Sequence, residues 1–400
     1  MNENLERKKF DDIVFWGSVI DILFIPYAFF MAISYSIFLL IPWFIIHFQE
    51  LRKRKEFKLF IIFSILTLLS AAFGSFLRPY DLGNNVSRAI QIIQILGYYF
   101  MFADYLERYS VKLKPFLFTF TLFVMIFAIL YNINRTLYSS LIILWNPRGF
   151  SGMMSLYGSV DGRFAFLWMD PNNIAYTYVG IIGFLLTNEK SNTFEKFIYM
   201  IGLMLVLFSA MSSGGFISFA VLFVLIFLTI IIRRKIRVTK NALIKIIASP
   251  IVVFILYLIY QSYSQSSVAR AALLRIENNS MDSRSLIWES ILKGVSFWKY
   301  IIIGKGGTTY LDNGFPIKPH NGHFYVILAC GIIAYAIFMY IVFRKRKITP
   351  FRNYVWISAI LLGFTANVLL GEVKLFAIVM LLVACSSSKR YLSERGYIYE

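Results

Sequence analysis

Charged side chains are scarce in this chain. Asp, Glu, Lys and Arg make up 15% of its 400 residues, where an ordinary soluble domain carries about a quarter. Acidic residues are the scarcer kind, 21 against 40 basic, for a net charge of +19. There are two cysteines, Cys330 and Cys385. Both lie inside apolar runs, so they read as packed thiols and exclude a disulfide-stapled secreted module. No Walker A loop, Gly-rich dinucleotide motif, H-E-x-x-H or G-x-S-x-G element occurs, which leaves no signature of nucleotide, metalloprotease or α/β-hydrolase chemistry. No D-x-D pair that could hold a divalent metal falls on the outer face, so no metal and no cofactor is expected. A pyrophosphate handled there would be neutralised by Arg and Lys, and the guanidinium fork suits that task.

What the chain has in excess is apolar surface: 58% hydrophobic and 18% aromatic residues, with mean hydropathy +0.68. No globular core could hide this. A bilayer-crossing helix needs roughly 20 apolar residues, so twelve would use about 60% of such a chain. Apolar runs fall near 12–31, 33–50, 59–77, 89–106, 115–133, 166–187, 197–211, 215–232, 243–260, 322–343, 353–370 and 375–388. The expectation is therefore an all-α integral membrane protein, one polytopic domain over 1–400 with about twelve transmembrane helices. The N-terminus is polar and its first run is long enough to span, so it reads as a retained helix and not as a cleaved signal. The run 137–145 is too short to cross and reads as re-entrant or interfacial.

Basic residues cluster between these runs, which argues for topology signals and against nucleic acid as a partner. With the N-terminus inside and sides alternating, Arg7 to Lys9, Arg52 to Lys55, Arg108 to Lys114, Lys190 and Lys196, Arg233 to Arg237, Arg344 to Lys347, and Lys389 with Arg390 all face the cytoplasm. Both termini are then cytoplasmic. Two outer segments are long, 134–165 and the loop 261–321 between the ninth and tenth helices. In the second, Asp282 can cap an amphipathic helix from Ser283 to Val295, lying along the membrane surface. Gly304, Gly306 and Gly307 then mark a turn.

Polar residues at the outer ends are where chemistry could sit. Arg163 opens a stretch ending in Asp170-Pro171-Asn172-Asn173. Either the proline breaks the sixth helix two turns in and opens a cavity, or Asp170 caps a helix that begins at Pro171 and Arg163 reaches headgroups. Arg284 stands in the first turn of the surface helix, a mildly unfavourable place for a cation. It needs an anionic partner, either Asp282 or a phosphate, and Trp288 follows one turn on. Lys318-Pro319-His320-Asn321-Gly322-His323 enters the tenth helix and holds two of the three histidines. Histidine suits proton transfer near neutrality, although either could be an interfacial polar residue. His47 reads as structural. Arg78 and Arg88 flank a short loop and could reach the same cavity, while most of Arg135, Arg148, Arg270 and Arg275 should meet headgroups. Asp21, Glu372 and Lys374 could form internal ion pairs.

An outer Arg before a D-P-N break, a Ser/Gly turn opening a helix, R-x-x-x-W in a long loop, G-K-G, then H-N at the next helix: here these are Arg163 with Asp170-Pro171-Asn172, Ser212-Ser213-Gly214-Gly215, Arg284 with Trp288, Gly304-Lys305-Gly306, and His320-Asn321. This ordered set, spread over roughly residues 160 to 340, resembles the bacterial O-antigen polymerase and O-antigen ligase superfamily, the Wzy-type membrane glycosyltransferases. Family members often have Ser-Arg-Gly where this chain has Ser213-Gly214-Gly215, so any role of that Arg is absent or moved. The resemblance implies metal-independent glycosyl transfer from a glycan on undecaprenyl pyrophosphate, at the periplasmic or extracellular face of the cytoplasmic membrane. It implies catalytic roles for His320, Arg284 and Arg163, and substrate contacts from Asp170, Asn172, Asn321, Arg78, Arg88, Trp288 and Lys305. Membrane lipids, a chain-length regulator and a flippase are the partners that fit. The acceptor is another lipid-linked repeat unit for a polymerase, or a lipid core or other acceptor for a ligase. A twelve-helix secondary transporter is the rival from another class. It predicts repeat symmetry and a midplane site, and neither is evident.

Overall fold

The computed structural model describes residues 2–25, 34–78, 81–145, 163–166, 171–234, 281–293, 295–306, 321–343 and 373–394. Every element among them is an α-helix. In chain order they are α1 (Asn2–Phe24), α2 (Ile37–Leu51), α3 (Lys55–Leu77), α4 (Leu82–Arg108), α5 (Leu113–Ile133), α6 (Arg135–Trp145), α7 (Pro171–Asn188), α8 (Thr193–Ala210), α9 (Ser213–Arg234), α10 (Met281–Lys293), α11 (Val295–Tyr300), α12 (Gly322–Phe343), α13 (Val373–Ser387) and α14 (Lys389–Ser393).

Five of these, α3, α4, α5, α8 and α12, are long and apolar enough to cross a membrane, and α2, α13 and part of α9 are shorter apolar helices. This all-helical composition with long apolar helices is consistent with an α-helical membrane protein. Of the expected twelve runs, those at 243–260 and 353–370 lie outside the described residues. The short run at 137–145 is helical as α6, which packs on α5 through Tyr138 and Ile142. Large apolar side chains such as Phe38, Ile45, Phe76 and Ile133 are exposed, a surface suited to lipid.

Helix α4 is the axis. Its most apolar window is 89% buried, against 39% for α3, α5 and α8. The reason is its composition: Asn85, Gln91, Gln94 and Asp104 are polar, and all four are buried. Such a helix is tolerated in a bilayer only inside protein. It packs chiefly on α13, every residue of which is buried. Aromatic rings fill the space towards α1, where Phe15 stacks on Tyr105 at 4.1 Å and meets Phe102 edge-on at 5.6 Å.

The basic clusters gather at one end of this bundle. Arg7 pairs with Glu50 at 2.6 Å, Arg54 with Asp104 at 2.5 Å, and Arg108 with both acids. Lys114 reaches Glu195 at 2.8 Å, and Arg390 reaches the Arg108 carbonyl. His47 is fully buried here, stacked on Trp43. Arg7 can only donate, so His47 Nδ1 accepts at 2.8 Å and Nε2–H donates a hydrogen bond to Asp11 Oδ1 at 2.8 Å. The histidine is a structural tether between α1 and α2. Tyr109, just beyond α4, donates to Asp11 at 3.0 Å. Burial, and then that hydrogen bond and the carboxylate charge, push its phenol up to about 12.

Towards the opposite end, α1 stops at Phe24. Its final carbonyls have no helical partner and little water to turn to. Lys374, wholly buried, supplies the donors: its Nζ reaches the Asp21 carbonyl at 3.1 Å, the Ile25 carbonyl at 2.8 Å and Asp21 Oδ1 at 2.8 Å. Asp21 Oδ2 accepts from the Ser36 amide at 2.9 Å, the Ser36 hydroxyl at 2.6 Å and the Ser34 hydroxyl. The Asp21–Lys374 ion pair foreseen in the sequence therefore exists, and it also completes a helix end. Both cysteines are buried.

Lys374→Met should strand the Asp21 carboxylate and cost about 3–5 kcal/mol. Adding Asp21→Asn should recover part of that loss. Thermal unfolding of the purified variants in detergent checks this, and a double variant no better than Lys374→Met would contradict it.

Candidate functional site

Two helix interruptions meet the motif residues at the end away from the basic clusters. The first interruption lies between α8 and α9. Helix α8 closes with Met211 in the left-handed region at φ 46°. Ser212 then caps α9, its hydroxyl accepting the Gly215 amide at 3.0 Å. The Ser/Gly turn of the sequence is this junction. Arg163 docks on it. Its Nε donates to the Ala210 carbonyl at 2.8 Å, and its Nη2 donates to the Met211 carbonyl at 3.0 Å and to Asn172 Oδ1 at 3.3 Å. A cation at a helix C-terminus is favoured by the aligned peptide dipoles. Asn172 Oδ1 also accepts the Ser212 hydroxyl at 2.7 Å. Arg163 and Asn172, nominated from the same stretch, thus share one network.

The strap that carries Arg163 is deeply held. Phe164, Ala165 and Phe166 are fully buried. The Phe164 amide donates to the Ser209 carbonyl at 3.0 Å and the Phe166 amide to the Tyr138 hydroxyl at 3.2 Å. The strap at 163–166 is not helical, and the described part of α7 runs from Pro171. The choice between a sixth helix broken at the proline and a helix capped by Asp170 turns on residues 167–170, which lie outside the described residues. Asp170 lies outside the described residues.

The second interruption is inside α12, which bends at Gly331 (φ 84°, ψ 163°). A Cβ there would stand 2.1 Å from the Ile302 carbonyl oxygen, so only glycine fits. The bend frees backbone groups in the apolar interior, and residues 301–306 take them up. The Lys305 amide donates to the Leu328 carbonyl at 2.8 Å and the Gly306 amide to the Ala329 carbonyl at 3.1 Å. In return the Ile332 amide donates to the Ile301 carbonyl at 2.8 Å. Ser70 of α3 also donates to the Ala329 carbonyl. Part of the long loop is thus built into the bundle. Lys305 lies close to Gly74 of α3, where a Cβ would be 1.9 Å from its carbonyl oxygen.

That docking draws several nominated residues into one neighbourhood. Arg78 ends α3, its amide on the Gly74 carbonyl at 3.0 Å. On α4, Asn85 touches Gly306, and one turn further Arg88 donates to Gln91 at 2.9 Å. At the start of α12, Asn321 Oδ1 accepts the His323 amide at 2.9 Å and the Phe324 amide at 3.1 Å, capping the helix. Trp288 of α10 meets Phe324 edge-on at 6.3 Å, and Ile291 packs with Leu328. The surface helix is therefore seated on the first turns of α12. Arg284 falls in α10 one turn before Trp288. Its side chain, and His320, lie outside the described residues.

Sequence reasoning missed Tyr335, whose hydroxyl pairs with His323 Nδ1 at 2.8 Å. Twelve residues of straight helix span roughly 18 Å, out of reach for these side chains, so this contact requires the bend. It also missed Asn85, although Asn85, Arg88, Gln91 and Gln94 recur every third residue on one face of α4. Among the described residues no group of three or more His, Cys, Asp or Glu could hold a metal ion. No family model, curated protein or solved structure matches the chain.

Arg163→Ala should leave two helix-end carbonyls and Asn172 short of a donor, at about 1–3 kcal/mol. Arg163→Lys should restore part of this. The thermal midpoint in detergent reads the difference, and an Ala variant as stable as the native chain would show that the cap is dispensable.

Proposed function

We propose that this protein is a membrane glycosyltransferase that polymerises oligosaccharide repeat units carried on undecaprenyl pyrophosphate, at the outer face of the cytoplasmic membrane, for a surface polysaccharide. The observation that carries the reading is a segregation. Arg163, Asn172, Arg78, Arg88, Trp288, Lys305 and Asn321 sit around helix interruptions at one end of the bundle, and the basic clusters sit at the other. By the positive-inside rule the basic end is cytoplasmic and the motif end faces outward, with the N-terminus inside.

In this reading the hydroxyl of one repeat unit attacks the anomeric carbon of another. The C–O bond to the pyrophosphate breaks, and the electron pair leaves with the lipid pyrophosphate. Arg284 and Arg163 neutralise the charge that grows on that leaving group, a task suited to fixed guanidinium groups in a low-dielectric site. His320 takes the proton of the attacking hydroxyl. Asn172 and Asn321 keep Arg163 and the start of α12 in register through the network and the cap already described. The loop covers the sugars and excludes water, which would otherwise hydrolyse the donor.

His320→Ala and Arg284→Ala should each abolish polymer while leaving the protein in the membrane, and cells lacking the protein should accumulate single repeat units on the lipid carrier. Membranes fed lipid-linked repeat units alone should build ladders. Polymer of normal length in both variants would refute the assignment, and ladders that need a second acceptor would point to a ligase.

A further inference from the structure

His47, which ties α1 to α2, stands where a single proton would rearrange that tie. Its imidazole is wholly buried and stacked on Trp43, ring centroids 4.7 Å apart. Nε2–H donates to the buried Asp11 at 2.8 Å. Nδ1 faces two groups of opposite charge: Arg7 Nη2 at 2.8 Å and Asp104 Oδ2 at 4.0 Å. With a neutral ring Nδ1 accepts, and Arg7 is its partner. A proton added at Nδ1 makes both ring nitrogens donors. Arg7 then meets a like charge at hydrogen-bond distance, and Asp104 becomes the acceptor. Arg7 has another place to go, because its Nη2 also donates to Glu50 at 2.6 Å. Its Nε is buried without a hydrogen-bond partner. The side chains of Arg7 and Glu50 are both part-exposed, so a proton from water reaches Nδ1 along this side. The other charged and titratable groups here hold one another whichever state the ring is in. Arg54, from the α2–α3 turn, pairs with Asp104 at 2.5 Å, and Arg108 of α4 pairs with Asp104 at 2.8 Å and with Glu50. Tyr109 donates to Asp11 at 3.0 Å and Tyr105 to Asp12 at 2.5 Å, while Arg390 of α14 reaches the Arg108 carbonyl.

We infer that His47 is a proton site that latches the N-terminal turns of α1. The proton taken up at Nδ1 turns the hydrogen bond of the ring from Arg7 to Asp104, and Arg7 moves off to Glu50 and water. Leu5, Glu6, Lys8 and Lys9 are exposed, so Arg7 supplies the buried anchor of those turns. Lys8 adds an outer contact, over the Tyr109 ring at 5.8 Å from its centroid. Nε2–H keeps Asp11 in both states, so α1 and α2 stay joined beyond the first turns. A fall in pH on the side of the basic clusters therefore releases a short cationic arm without unseating the helix. The polymerase reading plays no part in this inference, which stands on the packing of α1, α2 and α4.

The test uses the full-length protein in phosphatidylcholine nanodiscs, with nitrogen-15 in its three histidines and a nitroxide on Leu5→Cys, the native cysteines being buried. Between about pH 8 and about pH 5, the interval in which histidine ordinarily changes charge, the His47 ring should pass from the neutral Nε2–H form to the imidazolium. The nitroxide should become mobile over the same interval. His47→Gln, which can accept from Arg7 but gains no proton, should hold the label at both ends of the interval. Asp104→Asn takes away the carboxylate that receives the new N–H, and should move both transitions to lower pH. Arg7→Gln should leave the label mobile throughout. If His47→Gln does not fold, His320→Gln/His323→Gln leaves one histidine, so its signal is still assigned, and the Asp104 and Arg7 variants carry the comparison. A ring that stays neutral at the acid end overturns the latch. So does a ring that titrates while the label stays still, or the same pH-dependent motion in His47→Gln.

Discussion

A helix that stops inside a bilayer leaves backbone carbonyls and amides with no water to bond, each unmet group costing several kcal/mol. The architecture of this protein is organised around that constraint. Helix α1 is completed by the ammonium of Lys374, α8 by the guanidinium of Arg163, and the bend of α12 by the backbone of residues 301–306. Each partner comes from a distant part of the sequence. The interruptions are therefore also the joints that tie the bundle together, and the polar groups that complete them are the ones available for chemistry.

This overlap bears on how mutations in such a protein should be interpreted. Arg163 holds the turn between α8 and α9 whatever else it does, so loss of activity on its removal is ambiguous until stability has been measured. Asn172 is tied to the same turn, and Asn321 is a helix cap before it is anything else. Their structural roles fix where they stand relative to one another, and pre-organisation of that kind is what a site needs if charge is to be stabilised without rearrangement.

Much of the framework could be read directly from the sequence, because hydrophobic runs and basic clusters are local signals. The runs at 59–77, 115–133 and 322–343 match α3, α5 and α12 to within a few residues. The clusters at Arg7, Arg52, Arg108, Lys190 and Lys389 meet at one end because each terminates a helix of alternating direction. The Ser/Gly stretch at 212–215 announced a turn that opens a helix, and Gly304 a turn, since both are local signals. What was not legible depended on partners far away. The non-helical strap at 163–166 is held by Tyr138 and Ser209, which nothing local announces. The bend at Gly331 could not be told from an ordinary glycine, because its cause is the Ile302 carbonyl pressed against it. Lys374 could be suspected of pairing, but nothing local shows that it also caps α1.

The seam between residues 301–306 and α12 has a bearing on biogenesis. Ser70 and Ala329, joined by a hydrogen bond, are 259 residues apart in the chain. During synthesis α3 enters the membrane long before its partners exist, and the bend at Gly331 must wait for the preceding loop to swing back. Until then α12 is either transiently straight or exposes bare peptide groups to hydrocarbon. Closing so large a loop is slow, so this seam is among the last parts of the molecule to form, and a cell that makes the protein must shelter it until assembly finishes.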